Sequence, residues 1–471
     1  MNKSAFVIIA PNSMAFRAIV NSDTLPILQQ KCDAEGYSNI FVLSPDNGTQ
    51  NILPHYVEWR DFQSPSLDKS SLPLFKRIYR SIRVRLEGLL GCNFKNIAFR
   101  FNEINQFYAH QFKKKLSTAR QNREEIAGNF VKKRYGFPFP KSHFLYKCVT
   151  KLYYAKPFVI DPNIEGFFHE TSIDRMIFHY AQHDIFREYM QCAKKFNIPY
   201  TSIIGSWDRL TTKGPICPNS QSYIVNTQVM ANELKKFHNI NKNKIHIIGW
   251  PQMDAYHDLN LQLDRDSFCE KYGIASNNHI LLFAGNSERL GQHEPSIVEH
   301  ICHQINNGHF SKLKKNIHLI IRPHPLDNSW QERFKKANNF DFVTLMPAEM
   351  QNLSNMVNTL LHSDTVIATQ GSITLDATAF DKPVINLNFD GDLIDQKNAS
   401  VKRLYKMDHY LPVLNTGAIY LVDSYANLDN AVINSLEKPD GLKDQRLLLR
   451  QKELEPFLGD SSQRQVKAML S

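Results

Sequence analysis

The chain lacks any uninterrupted apolar run close to the roughly 18 residues a membrane-spanning helix needs. Its start, Met1-Asn2-Lys3-Ser4 and then a short apolar run to Ala10, is too brief for a secretory signal, so a cytoplasmic location is expected. Cysteine is sparse and scattered: the seven are Cys32, Cys92, Cys148, Cys192, Cys217, Cys269 and Cys302, with no Cys-x-x-Cys pair. That excludes a disulfide framework and a cysteine zinc site, and leaves these residues a reduced, structural role. Internal repeats and low-complexity tracts are also missing, which removes solenoids and disordered scaffolds. What is present is 471 residues, 42% hydrophobic and 22% charged, enough for two ordinary domains with separate cores. Acids fall short of bases, 46 against 56, and the resulting charge of +10 implies anionic company: nucleic acid, an acidic membrane surface, or phosphorylated substrates. Charge alone does not choose among these.

Strand-like and helix-like segments alternate through both halves. Phe6-Val7-Ile8-Ile9-Ala10, a Pro11-Asn12-Ser13 turn, a helical stretch from Phe16 to Glu35 and Ile40-Phe41-Val42-Leu43 read as a βαβ unit. Beyond an irregular basic and aromatic region at about 60–170, the pattern predicts a helix from Asp174 to Phe196 and strands at Tyr200 to Ile204, Ser222 to Val225 and Lys244 to Ile248. The hinge is placed after Gly249-Trp250-Pro251-Gln252. Strands resume at His279 to Phe283, Ile317 to Ile321, Phe340 to Leu345, Thr365 to Ala368 and Pro383 to Leu387. The fold class is therefore α/β, with two doubly wound Rossmann-like domains facing a cleft. They span residues 1–252, with the basic helical insertion, and 253–440, and a helical segment follows at 441–471.

Two signatures carry the functional reading, Arg322-Pro323-His324-Pro325 and Gln370-Gly371-Ser372-Ile373-Thr374-Leu375-Asp376. Each follows an apolar strand, and the carboxyl ends of strands are where open α/β sheets bind nucleotides. Prolines on both sides fix the backbone of His324, whose imidazole can donate to, or protonate, a phosphate oxygen as a sugar–phosphate bond breaks. A histidine satisfying backbone groups in a rigid turn is the competing reading, and the nearby Gly371-Ser372 loop favours the functional one. Gly371, Ser372 and Thr374 form a candidate phosphate site. Asp376 either accepts from a ribose hydroxyl pair or caps its own helix, and spacing leaves both open. The loop Gly285-Asn286-Ser287-Glu288-Arg289 supplies further phosphate candidates in Gly285, Ser287 and Arg289, the last through its planar fork.

In the first half, Ser206-Trp207-Asp208 follows a strand and leads to Thr211, Thr212 and Lys213. Asp208 there can take a proton from an attacking hydroxyl, while Lys213 can hold an anionic acceptor or donor and Trp207 is a candidate for acceptor or anion binding beside it. An Asx-type turn with Trp207 packed on the core is the alternative. The stretch Lys76 to Leu86 sets five basic residues among Ile, Tyr, Val and Leu, as on a membrane-surface helix or an ordinary solvated one, and Lys113-Lys114-Lys115 and Lys132-Lys133-Arg134 extend the charge. No nucleic-acid recognition motif accompanies them.

The ordered set Ser206-Trp207-Asp208, Lys213-Gly214, Gly249-Trp250-Pro251-Gln252-Met253-Asp254, Arg322-Pro323-His324-Pro325 and Gly371-Ser372 with Asp376 resembles bacterial surface-polysaccharide glycosyltransferases of the GT-B fold. It is similar as well to the related CDP-glycerol glycerophosphotransferases that build teichoic acids. The resemblance covers about residues 170–400. In those phosphotransferases a Trp-His-Gly motif carries the catalytic histidine, a His-Pro motif meets the donor phosphates and a Ser-Ser segment with a following Asp binds the nucleotide. Trp207-Asp208, His324-Pro325 and Ser372 with Asp376 fall at these positions. Asp208 replaces the histidine, which favours sugar transfer over polyol-phosphate transfer, and Gly371 replaces one serine. The resemblance implies a nucleotide-sugar donor, a glycan or lipid-linked acceptor, and a peripheral-membrane enzyme needing neither cofactor nor metal. It also implies a C-terminal helix crossing back to the first domain. Polyol-phosphate transfer, nucleotide-sugar 2-epimerisation and a non-enzymatic basic scaffold are the alternatives.

Overall fold

The computed structural model describes residues 5–37, 39–45, 53–62, 160, 162–181, 183–212, 216–288, 290–349, 352–393, 400–407 and 409–471. They form two compact units, Met1–Gln252 with Pro456–Ser471, and Met253–Glu455.

The first unit is built on a seven-stranded sheet: β1 Ala5–Ile9, β2 Ile40–Ser44, β3 Val57–Asp61, β4 Ile173–His179, β5 Tyr200–Ile203, β6 Tyr223–Val225 and β7 Ile245–Ile247. Its order is β3-β2-β1-β4-β5-β6-β7, with every pairing parallel. The central strands read as near-continuous apolar runs because helices cover both faces of a parallel sheet, and all five residues of β1 are buried.

Two strands here escape the sequence pattern. The single helix expected over Asp174 to Phe196 is instead β4 followed by a helix at His183–Lys195. Only Met176-Ile177-Phe178 gives β4 an apolar run, while the half-buried Asp174 and Arg175 ahead of it imitate a helix face. Strand β3, Val-Glu-Trp-Arg-Asp, sits at the sheet edge with its last two residues exposed, so it carries no long apolar signal. The helical stretch after β1 is two helices, Ser13–Val20 and Thr24–Glu35, split where Ser22 turns its hydroxyl back onto the carbonyls of Ala18 and Ile19.

The second unit has a six-stranded sheet: β8 His279–Ala284, β9 Ile317–Arg322, β10 Val343–Leu345, β11 Thr365–Ala368, β12 Val384–Leu387 and β13 Tyr420–Val422. Its order is β10-β9-β8-β11-β12-β13, again all parallel. Each sheet is thus doubly wound, with its first strand central and a reversal of strand order beside it. In the second unit the helices Glu294–Asn306 and Tyr425–Glu437 bury Ile297, Val298, Ile301, Leu428 and Val432 against one face.

The segment 441–471 divides between the units. Helix Lys443–Glu453 stays with the second, while helix Ser461–Leu470 lies in the first and packs on helix Thr24–Glu35. Val466, Ala468 and Met469 join the first unit's core, and the Met469 carbonyl accepts from Arg175 at 2.8 Å. The returning chain passes so close to the turn after β7 that a Cβ on Gly249 would stand 2.3 Å from the Pro456 carbonyl, at a backbone φ of +87°. Only glycine fits there on both counts.

Candidate functional site

In the second unit the strand order reverses between β8 and β11, so their carboxyl ends open a crevice, the usual seat of a nucleotide in such a sheet. The three loops picked out by sequence lie there, after β8, β9 and β11. Gly285, just past β8, donates its N–H to the Arg322 carbonyl at 2.9 Å, and a Cβ on it would stand 3.5 Å from the Pro323 Cα. The glycine loop and the Arg-Pro-His-Pro turn are therefore neighbours. Ser287 closes its turn by accepting from the N–H groups of Leu290 and Gly291 at 2.8 and 2.9 Å. Past β11, Gly371 is open enough that a Cβ would meet only the Thr369 carbonyl, at 3.8 Å, and Ser372 is exposed at the start of helix Ile373–Ala379.

His324 is half-buried, and its Nδ1 accepts the Leu326 N–H at 3.1 Å. In the neutral ring the proton then resides on Nε2, the nitrogen that can donate. Asp376 is 9% exposed. It does not cap its helix; Oδ1 accepts instead from the Tyr256 hydroxyl at 2.8 Å. Burial pushes its carboxyl up to about 6, against the pull of the Tyr256 bond and of the Arg322 charge. Thr374 departs from its expected phosphate role. Its side chain is fully buried, hydrogen-bonded to the Tyr410 hydroxyl at 3.0 Å and to the Asn386 amide at 3.3 Å, because helical spacing turns it inward.

Beneath these loops lies a buried network with no signature in the sequence. Glu294 is fully buried at the start of helix Glu294–Asn306, and its two oxygens accept from the Asn286 N–H at 2.9 and 3.0 Å. It also receives the Thr369 hydroxyl at 3.1 Å and Arg333 at 3.1 Å. Arg333 pairs with buried Asp327 and donates to the carbonyls of Asn286 and Gly291. His293 reaches Thr369 at 3.0 Å, and burial holds its imidazole down to about 4, hence neutral. One carboxylate and one guanidinium so fasten the loop after β8, the turn after β9 and the end of β11. Burial pushes Glu294 up to about 7, opposed by Arg333, the Asn286 N–H and the Thr369 hydroxyl.

The first unit places Ser206, Trp207 and Asp208 after β5. Ser206 donates to an Asp208 oxygen at 2.5 Å, while the Asp208 carbonyl accepts the Thr211 N–H at 3.3 Å and its hydroxyl at 3.1 Å. Asp208 is half-buried. The ring of Trp207 is only 7% exposed, so it packs on the core instead of presenting a face to an acceptor. The preceding Gly205 is required by packing: a Cβ there would lie 2.3 Å from the ring of Tyr180 and 2.7 Å from that of His179. Tyr180, just past β4, is itself at a φ of +66°, an unfavourable conformation for a tyrosine that the fold imposes beside the strand-order reversal of this sheet.

Lys213 and Arg289 lie outside the described residues, as do the basic stretches at 76–86, 113–115 and 132–134. Asp390-Gly391-Asp392 has the Asp-x-Asp spacing that metal-dependent sugar transferases use, but here both carboxylates serve the local fold: Asp390 accepts the Val401 N–H at 2.8 Å and Asp392 the Tyr425 hydroxyl at 2.7 Å. Among the described residues no group of three or more His, Cys, Asp or Glu side chains gathers to hold a metal, and no helix is long and apolar enough to cross a membrane.

Two Rossmann-like units of this kind, with a terminal helix returning to the first, define the GT-B fold. More particularly, residues 209–433, a little under half of the chain, match the model of the CDP-glycerol:poly(glycerophosphate) glycerophosphotransferase family. No protein of curated function matches the chain in sequence. Among solved structures it is similar to S. aureus MnaA with UDP, at 12% identity over 98% of this chain and 95% of that one, TM-score 0.53. It is also similar to the Neisseria meningitidis UDP-GlcNAc 2-epimerase bound to UDP-GlcNAc, at 13% identity over 99% of both chains, TM-score 0.53. The wall teichoic acid polymerase TagF shares 11% identity over 100% of this chain and 89% of that one, TM-score 0.50. At such identities the likeness is one of fold.

Proposed function

We propose that the protein is a transferase that moves a sugar from a nucleotide-activated donor to a growing cell-surface glycan, such as capsule or O-antigen. The observation that carries this reading is the crevice between β8 and β11, where the Gly285, Arg322-to-Pro325 and Gly371-Ser372 loops converge on one buried brace. On this reading Arg322 and the Nε2–H of His324 stabilise charge developing on the leaving diphosphate. Backbone N–H groups of Gly371 and Ser372, together with the hydroxyls of Ser287 and Ser372, take up phosphate oxygens, while Gly285, whose own N–H is held by the Arg322 carbonyl, keeps that side of the crevice free of a side chain, and Asp376 accepts from the ribose. Asp208, oriented by Ser206, takes the proton of the attacking acceptor hydroxyl. None of these roles uses a metal or a cofactor. The basic segments of the first unit suit a lipid-linked, anionic acceptor at the inner membrane face rather than nucleic acid.

The match to the glycerophosphotransferase model favours a second reading, polyol-phosphate transfer from a CDP-activated donor. Asp208, where that family has histidine, argues for the sugar. Two measurements decide. A panel of UDP, GDP, CDP, CMP and dTDP is expected to yield one nucleotide that raises the melting temperature, since a ligand of the folded state stabilises it by mass action, and no shift with any of them would sink the transferase reading. Product analysis then separates the two chemistries: sugar transfer releases a nucleoside diphosphate, whereas polyol-phosphate transfer releases the monophosphate and leaves a phosphodiester.

A further inference from the structure

Asp376 is a buried carboxylate that is only half satisfied. A carboxylate offers roughly four acceptor positions, yet the side chain receives one hydrogen bond, from Tyr256 to Oδ1, and its Oδ2 has no hydrogen-bond partner among the described residues. Although Asp376 as a whole is only 9% exposed, that oxygen is not among the sealed atoms left without a partner, so it keeps an open side from which it can accept a donor. The residue lies one turn into the helix that follows the loop after β11, at the crevice already described. Tyr256 is itself held firmly. It is 8% exposed, its ring lies 5.0 Å from that of Phe380, and its carbonyl accepts from Gln262 at 3.0 Å. It comes from the segment Pro251–His257, remote in sequence from every donor signature.

Resting on the nucleotide-donor reading above, we infer that Tyr256 is a positioning residue for the donor ribose. By fixing one oxygen of Asp376 it aims the other to accept from a ribose hydroxyl, and so makes the site prefer ribonucleotides to 2′-deoxyribonucleotides. Tyrosine suits the task because its hydroxyl donates in one direction from a rigid ring.

The experiment is calorimetric titration of the protein with the nucleotide that stabilises it and with its 2′-deoxy counterpart, in the wild type, Tyr256→Phe and Asp376→Asn. The wild type is expected to favour the ribonucleotide by about tenfold, the factor one hydrogen bond to a charged group supplies. Tyr256→Phe should bring that ratio close to one with the affinity for the deoxy form unchanged. Equal weakening of both nucleotides would assign Tyr256 a purely structural role and overturn the inference. A wild type that binds nucleotide without preferring the ribo form would overturn it too, while leaving the transferase reading intact. A wild type that binds neither removes that reading and the inference with it. Should Tyr256→Phe yield too little folded protein, the double variant Y256F/D376N, which also removes the buried charge, takes its place. It must match D376N in ribo-to-deoxy ratio, and a further change in that ratio would equally overturn the inference.

Discussion

His324 shows what can be argued from a single side chain. Flanking prolines restrict its backbone, and the Leu326 N–H occupies Nδ1, which leaves Nε2–H as the donor. Replacement by alanine removes that donor, while the freed Leu326 N–H, on an exposed residue, turns to water. Turnover of His324→Ala is expected to fall by about 10²- to 10⁴-fold, the range of positioned proton donors, with the melting temperature little changed. Turnover close to wild type would remove His324 from the mechanism. Residue type and position were legible here, but facing was less so. Ser372 and Thr374 look alike as small hydroxyls after a strand, yet one is exposed and the other is sealed against Tyr410 and Asn386. The same limit applies to Trp207, whose indole reads equally as a binding surface or as core.

At the level of elements, the loops found by motif depend on residues that no motif contains. Glu294, Asp327, Arg333 and Thr369 meet because β8, β9 and β11 are adjacent, not through any regular spacing along the chain. Their signal in the sequence would have been charged residues at positions a helical pattern makes buried. Glu294 also gives the protein a pH dependence. Burial raises its folded pKa to about 7, above the 4.5 usual for a glutamate, so the folded state holds the proton more tightly. That contribution is complete below the unfolded value and is lost as pH rises to about 7. Asp376, raised to about 6, and Glu453, raised to about 7, slope the same way. Stability measured in urea should therefore fall between about pH 4.5 and 7, and Glu294→Gln should flatten the fall by on the order of 2–3 kcal/mol. An unchanged slope would show that Arg333 and the loop donors offset the burial completely. Strands β3 and β4 were illegible for a related reason. An edge strand needs no long apolar run, and β4 carries its charged residues at the amino end, where they interrupt the period.

Across the whole molecule, alternation of strands and helices was enough to read two doubly wound units, since parallel sheets demand that rhythm. The split of the last segment between units was less legible, because both of its helices show similar amphipathic patterns. Helix Ser461–Leu470 brings fully buried Val466 and Met469 to the first unit, and side chains of this size are each worth about 1.5–3 kcal/mol when buried. Removing residues 456–471 should thus cost roughly 3–6 kcal/mol, a large share of the about 5–15 kcal/mol that stabilises a typical domain. Hydrogen exchange should then show β1 and β2 losing protection while β8, β9 and β11 keep theirs. Retained protection in β1 would show the returning helix to be dispensable.

The place of that helix also orders events during synthesis. The ribosome emits the strands of the first unit early, but the residues that complete its core follow some two hundred positions of the second unit. The second unit has all its strands by Val422 and all its chain by Glu455, so it can close as a continuous piece while the first still shows the apolar faces of Phe16, Leu25 and Leu28. The half of the protein that is made first is therefore the half that finishes folding last, and its exposed surface during that interval is what a chaperone would meet.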